Sequence, residues 1–161
     1  MTLHRIGLVV ALAAAPAFAQ NAVGSVEMNG IKPAMKFEQT VKGFLSPVND
    51  KLKLRVTEVE FAPGGKLGDH LHAGPGIRYV AAGELTVRDE SGKEQNAKAG
   101  DYFYEAGDNS LTVTNRGQAA AKLIVFELLP ADWTGSAMAP VSKRQELAQQ
   151  GKKLQDAICR K

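Results

Sequence analysis

The sequence predicts an all-β fold, and three observations support this prediction. Short segments rich in β-branched, aromatic and aliphatic residues recur at regular spacing between Leu52 and Leu129, and turn residues separate them. Several of these segments alternate apolar and polar residues, as half-buried strands do. No helical pattern of about 10–15 residues interrupts the stretch, which argues against an α/β arrangement.

The predicted strands follow one another in chain order. In KLKLRVTEVEF the apolar phase shifts between Val56 and Val59, which indicates a β-bulge. IRYVAAGELTVRD gives two segments interrupted at Gly83, DYFYE lies between glycine turns, and LTVTN alternates strictly. The last segment, AAKLIVFELLP, ends at Pro130 and is read as continuously apolar, so we expect both of its faces to be buried.

The first residues have the features of a secretory signal peptide. A short basic start precedes an apolar run from Ile6 to Ala15, and Ala17-Phe18-Ala19 fits the A-x-A cleavage pattern. The run is shorter than the roughly 20 residues that span a bilayer. A buried N-terminal helix is the alternative. We expect residues 1–19 to be removed, export to a bacterial periplasm, a mature chain beginning at Gln20, and no membrane association.

The mature chain is long enough for one domain with one core. We expect a short N-terminal arm at residues 20–50 and the β-barrel at residues 51–130. The composition changes after Pro130, so residues 131–161 are predicted to be a linker followed by a C-terminal helix. Ser142 and Gln145 resemble a capping box, which places that helix at about Ser142 to Ile158.

Charge and cysteine content exclude several classes of function. The chain has 20 basic and 17 acidic side chains, a net charge of +3, which is too small and too evenly spread to indicate nucleic-acid binding. Cys159 is the only cysteine, so no intrachain disulfide can form. Its thiol is either incidental or functional. No Ser-His-Asp or Cys-His arrangement for nucleophilic catalysis is available.

A histidine pair is the main indication of chemistry. In GDHLH, His70 and His72 are separated by one residue, so on a strand they point the same way, roughly 7 Å apart. This arrangement offers two imidazoles to one metal ion. Two imidazoles and water alone would hold a divalent ion weakly, because protein metal sites usually have three or four protein ligands.

The sequence around this pair resembles the small β-barrel cupins. Their first motif, G-x5-H-x-H-x3,4-E-x6-G, is matched by Gly64, His70, His72 and Gly83, and the ends of the second, G-x5-P-x-G-x2-H-x3-N, are matched by Gly100 and Asn115. The resemblance covers about residues 36–130. It implies a cupin double-stranded β-helix, a jelly-roll barrel in which two paired sheets limit exposed edges, here with the N-terminal arm and the C-terminal α-helix added.

The metal ligands that the family resemblance implies are incomplete. In metal-binding cupins they are the two histidines, the glutamate of the first motif and the histidine of the second. The glutamate position here is Gly76, and Leu111 stands at the position of the second-motif histidine. The proline position of the second motif is Ala106. Half of the expected ligand set is therefore absent.

Strand alternation indicates which side chains share the interior with the histidines. If His70 and His72 face inward, Arg78 and Glu105 do so as well. The outward side chains are then Ile77, Tyr79, Tyr102 and Tyr104. Aromatic residues are enriched at interfaces, and the family resemblance implies a homodimer.

Three functional hypotheses follow, and the sequence leaves open whether the protein is an enzyme. In the first, the barrel binds a small anionic molecule through His70, His72, Arg78 and Glu105, with or without a weakly held metal; this hypothesis expects an unpaired Arg78 guanidinium. In the second, a metal-dependent enzyme of the dioxygenase or isomerase type uses His70, His72 and Glu105 as ligands of iron, manganese, nickel, copper or zinc.

The third hypothesis is a structural or interaction barrel that binds no metal. Arg78 and Glu105 then pair across the interior, because a buried charge needs a partner, and the histidines are hydrogen-bonded without a catalytic role. This hypothesis expects a filled barrel and an exposed apolar patch around Tyr79 and Tyr102.

Overall fold

The computed structural model describes residues 25–159, and the all-β prediction is confirmed. The elements are β1 (Met28–Thr40), β2 (Leu52–His72), β3 (Gly76–Ala82), β4 (Glu84–Asp89), β5 (Glu94–Lys98), β6 (Tyr102–Glu105), β7 (Leu111–Thr114), β8 (Ala121–Pro130), β9 (Met138–Pro140) and α1 (Arg144–Cys159). Within residues 25–159 there is no helix with the length and apolar character needed to span a membrane. The predicted signal peptide lies outside the described residues.

One long strand connects the two halves of the jelly roll. The strand order is β5-β4-β7-β2-β8-β3-β6, and β1 and β9 also pair with β2. The first half of β2 pairs with β8 along Leu52–Phe61, whereas its second half pairs with β7 and β9 between Lys66 and His72. The partners change near Gly64, whose φ of 72° is the left-handed conformation that favours glycine. Because β2 crosses between the sheets, its C-terminal end brings both histidines into the interior.

The interior is divided into an apolar part and a polar part. Eleven buried residues from both sheets form the apolar core: Val59, Phe61, Leu67, Val80, Leu85, Val87, Ala97, Val113, Ala121, Leu123 and Val125. Further along the same strands the inward positions carry charge instead. On β3, Val80 belongs to the core and Arg78 does not; on β8, Glu127 follows Val125 on the same face. The polar end is where the candidate site lies.

Strands beyond the predicted barrel complete the sheets. The N-terminal arm contains the 13-residue β1, and β9 lies in the segment predicted to be a linker. The bulge predicted in β2 is wrong: Leu52–Phe61 pairs with β8 without interruption, and the irregularity between Met35 and Phe37 belongs to β1. The apolar phase of β2 shifts because Lys53 and Arg55, which share the buried face with Val59 and Phe61, are charged, while Leu54 on the opposite face is exposed.

The outward face of β8 is less buried than expected. Its inward residues are buried, but Phe126 on the outer face is 44% exposed. The apolar residues of β8 therefore form one buried face and one partly exposed face.

The C-terminal helix forms where the sequence predicts it. It spans Arg144–Cys159 and follows a short 3-10 turn at Val141–Lys143. Ser142, the predicted N-cap, lies inside that turn, and α1 begins two residues later. None of the described side chains of α1 is fully buried.

Candidate metal centre

The two histidines lie side by side in the polar part of the interior. His70 is opposite Leu111 of β7 and Pro140 of β9, and His72 is opposite Met138, so strands on both sides fix their backbone. Their ring centroids are 5.0 Å apart, and the residues are 1% and 9% exposed. The prediction that they point the same way into the barrel is confirmed.

Each imidazole is hydrogen-bonded through Nδ1. His70 Nδ1 is 2.8 Å from the carbonyl oxygen of Gly68, and His72 Nδ1 is 2.5 Å from Oε1 of Glu127. A carbonyl and a carboxylate oxygen accept hydrogen bonds, so both Nδ1 atoms donate. The partners therefore assign the proton to Nδ1 and leave Nε2 of each ring for another role.

Glu105 faces the Nε2 side of this pair. Its Oε2 lies 3.1 Å from His72 Nε2, and the residue is 4% exposed. One nitrogen or oxygen from each of His70, His72 and Glu105 can be chosen so that all three atoms lie within 4.8 Å of one another. Ligands about 2.0–2.2 Å from a common ion have such separations, so this donor set fits a transition metal.

Arg78 occupies the space beside Glu105. Arg78 Nε donates to Glu105 Oε2 at 2.9 Å, and Nη2 lies 2.5 Å from the same oxygen. Nη2 has no well-directed hydrogen-bond acceptor, so that second contact is ionic rather than directional. Nη2 is also 3.6 Å from Glu127 Oε1. The pairing of Arg78 with Glu105 is thus present, and the unpaired guanidinium expected of an anion-binding barrel is not.

The glycine at the family's glutamate position makes room for this arginine. A Cβ atom at Gly76 would overlap Arg78 Nη1 and the carbonyl oxygen of Phe126. Gly76 is directly opposite Glu105 on β6 and opposite Glu127 on β8. The absent side chain is therefore replaced in space by a guanidinium, and carboxylates come from the two neighbouring strands.

Burial and neighbouring charge set the protonation of His70 and Glu127. Burial, reinforced by the nearby His72, lowers the pKa of His70 to about 4 from its ordinary 6.5. Burial would raise the pKa of Glu127, but the hydrogen bond from His72 and the charges of Arg78 and Arg55 outweigh it, so this pKa is lowered. At neutral pH His70 is neutral and Glu127 is ionised.

Glu127 is the site residue that the sequence analysis missed. It is 3% exposed, lies opposite Arg55 on β2, and contacts His72 directly. Its signal was a single acidic residue inside the apolar run AAKLIVFELLP. A buried acid in such a strand requires a polar partner, which would have pointed to this interior.

A second cluster of charged side chains lies beside Glu127 and supports the site. Arg55 donates from Nε to Glu38 Oε2 at 2.7 Å and from Nη1 to the carbonyl oxygen of Gly135 at 2.7 Å. Lys53 Nζ contacts Glu38 and the carbonyl oxygen of Trp133. These bonds fasten the chain after β8 across the barrel end and hold Arg55 beside Glu127.

The second motif contributes structure rather than a ligand. Asn115 donates from Nδ2 to the carbonyl oxygens of Phe61, Ala62 and Ala119, and so closes the turn after β7. Leu111, at the position of the family's histidine, packs against the apolar core.

Comparisons with known proteins agree with the fold. Residues 57–127 match the family model described as "Cupin domain". An oxalate oxidase solved with the substrate analogue glycolate superposes with a TM-score of 0.52 at 20% identity, covering 84% of this chain and 64% of that one. A Klebsiella pneumoniae protein with a double-stranded β-helix domain gives 0.51 at 15% identity, covering 79% and 97%.

These similarities establish the fold, and the chemistry has to be inferred from the residues of the site. None of the curated proteins compared with the chain matches it. The matched segment, the strand order and the inward histidine pair together identify residues 57–127 as a cupin domain and the barrel as an all-β cupin jelly roll.

Proposed function

We propose that the polar end of the barrel binds one divalent transition-metal ion through His70, His72 and Glu105. The position of His72 carries this proposal: its ring lies between two carboxylates, 2.5 Å from Glu127 and 3.1 Å from Glu105. Since Nδ1 already donates to Glu127, either a proton shared between Nε2 and Glu105 or a metal ion must satisfy this contact.

The charge of the interior favours a cation over an anion. Arg78 carries one positive charge and faces two carboxylates, those of Glu105 and Glu127. These three side chains together carry a net charge of about −1 when ionised, and the neighbouring Arg55 is neutralised by Glu38. A small anion that used Arg78 would have to displace Glu105 first. We therefore assign small anionic ligands to the open positions of the metal rather than to the guanidinium.

The surrounding residues position the three ligands. Glu127 fixes His72 in the tautomer that presents Nε2, and the carbonyl oxygen of Gly68 does the same for His70. Arg78 orients Glu105 through Oε2, the same oxygen that faces His72 Nε2, so a bound metal would either share Oε2 with the guanidinium or use Oε1. When bound, the ion would supply a Lewis acid with open coordination positions, as in two-histidine, one-carboxylate sites.

This arrangement favours the metal-dependent enzyme among the three hypotheses, and the reaction is proposed only as a class, of the dioxygenase or isomerase type. Iron, manganese, nickel, copper and zinc are all compatible with the donor set. Glycolate is a suitable first ligand for experiments, because an oxalate oxidase of the same fold has been solved with it.

Metal content and affinity test the proposal. We expect untagged protein, as purified or after reloading, to hold one equivalent of metal by mass spectrometry of the elements, and Glu105→Gln to hold none. Glu127→Gln should retain the ligands but bind about 10–100-fold more weakly, because a partner that orients a metal-bound histidine typically contributes that much. Glu60→Gln makes the same chemical change on the outer face and should bind like the wild type.

Two outcomes would contradict the proposal. Metal-free wild type that takes up no ion on reloading would leave the hydrogen-bonded structural barrel as the better account. Metal retained equally in Glu105→Gln and wild type would place the ion elsewhere.

We also propose that the protein acts as an exported homodimer. A continuous row of outward apolar residues crosses five strands: Phe37, Val56, Phe126, Ile77 and Tyr104 are successive cross-strand neighbours. At the usual strand spacing this row is about 19 Å long. An exposed apolar row of this kind can pack against its own copy around a two-fold axis.

A further inference from the structure

A large cleft separates the C-terminal helix from the barrel. It has a volume of about 710 Å³, within the usual range for small-molecule sites. Leu71, Pro75 and Leu128 form its barrel wall, and Leu147, Leu154 and Ile158 of α1 form the opposite wall. The helix thus turns its apolar stripe toward an apolar surface without closing onto it.

Polar contacts near both ends hold the helix at this distance. At its start, Arg144 Nη2 is 2.7 Å from Glu90 Oε2, and Nη1 donates to the carbonyl oxygen of Asp108. Near its end, Lys51 Nζ donates to the carbonyl oxygen of Ala157 at 2.7 Å. Midway, Gly151 lines the cleft, and a Cβ atom there would meet nothing within 4 Å. The cleft therefore has free space beside the helix position that carries no side chain.

The apolar side chains on the helix wall are only half-buried, although the barrel wall opposite them is also apolar. Contact with an apolar molecule would remove the remaining surface from water, which is favourable in proportion to the area covered. The cleft therefore fits an apolar occupant better than it fits solvent.

The charges around the cleft indicate an uncharged occupant. Among the described lining residues, the cation is Arg144, which Glu90 neutralises, and the anion is Asp108, whose carboxylate disfavours an anionic occupant further. His72 also lines the cleft, but both of its ring nitrogens face carboxylates. No free positive charge in this part of the chain is available to hold an anion.

We propose that this cleft is a binding site for an uncharged, largely apolar small molecule, held between α1 and the barrel end. Binding in the cleft requires no metal ion, so this proposal can be tested independently of the metal centre. Because His72 is shared by both, an occupant of the cleft lies beside the candidate metal ligands. The helix then serves as one wall of a ligand site rather than as a tail.

Two matched fluorescent probes test the site on metal-free, full-length protein. N-phenyl-1-naphthylamine is uncharged, and 8-anilinonaphthalene-1-sulfonate adds a sulfonate to the same ring system. We expect saturable binding of one equivalent of the uncharged probe, at least tenfold tighter than the sulfonate. Equal or tighter binding of the sulfonate would overturn the assignment to uncharged ligands, and no binding of the uncharged probe would overturn the site.

Two leucine substitutions locate the probe. Gly151→Leu fills the cleft while favouring the helix, and should weaken binding of the uncharged probe at least tenfold. Gln149→Leu adds the same side chain at an exposed helix position that does not line the cleft, and should bind like the wild type. Unchanged binding in Gly151→Leu would show that the probe sits elsewhere, for example on the outer apolar row, and would overturn the proposal.

The cysteine supplies a measurement that needs no substitution. Cys159 is exposed and lines the cleft. A saturating concentration of the uncharged probe should slow the reaction of its thiol with a maleimide at least threefold. An unchanged rate at saturation would contradict occupancy of the cleft even if Gly151→Leu failed to fold.

Discussion

Acidification should destabilise the metal-free protein through His70. This imidazole is 1% exposed, and its pKa is about 4 in the folded state against 6.5 as the ordinary value. Between these values the unfolded chain binds the proton and the folded chain does not, so the free energy of unfolding falls as the pH falls from about 6.5 toward 4. Integrating this difference from pH 7.5 to pH 5 gives a loss of about 2 kcal/mol from His70 alone.

Urea unfolding of wild type and His70→Asn at the two pH values isolates this contribution. The asparagine amide can still donate to the carbonyl oxygen of Gly68 but does not titrate. Groups that titrate independently of His70 are common to both proteins and cancel in the comparison. We expect the wild type to lose about 2 kcal/mol more than His70→Asn. Equal losses in the two proteins would refute the burial of a neutral His70.

Three further predictions concern packing at two glycines, the outer apolar row and the signal peptide. Gly76→Ala should destabilise the protein by about 1–3 kcal/mol because its Cβ overlaps Arg78, whereas Gly151→Ala should stabilise it by about 0.5–1 kcal/mol. Thermal unfolding compares the two variants with the wild type. A Gly76→Ala variant as stable as the wild type would contradict the close contact between Gly76 and Arg78. Phe126→Lys should convert a dimer into a monomer in light scattering, while Phe44→Lys, in an exposed loop, should not; a wild-type monomer would end the dimer proposal. Mass spectrometry should find the protein in the periplasmic fraction with Gln20 at its N-terminus, and protein confined to the cytoplasm with Met1 intact would contradict export.

The sequence was sufficient to predict which of these side chains face the interior, because alternation is reliable along short, regular strands. His70, His72, Arg78 and Glu105 all lie inside, and Tyr102 and Tyr104 lie outside, as predicted. The two-residue side-chain period converts strand position directly into a face of the sheet.

The features that the sequence did not reveal depend on contacts between distant segments. Glu127 lies in a strand whose apolar residues occupy both faces, so alternation gave it no orientation. The replacement of the family's glutamate by Arg78 became visible only because Gly76, Arg78 and Phe126 meet across two strands. The distance between α1 and the barrel likewise depends on the contacts made by Lys51 and Arg144, and these contacts could not be predicted from the few apolar residues of the helix.

Anomalous diffraction from crystals loaded with Co²⁺ tests the central claim most directly. The account predicts one strong anomalous peak at the polar end of the barrel, about 2.0–2.2 Å from Nε2 of His70, Nε2 of His72 and a carboxylate oxygen of Glu105. Glu127 should remain hydrogen-bonded to Nδ1 of His72 in the same map. A peak that contacts Nδ1 of either ring, or the lack of any peak inside the barrel, would contradict the metal centre proposed for this cupin.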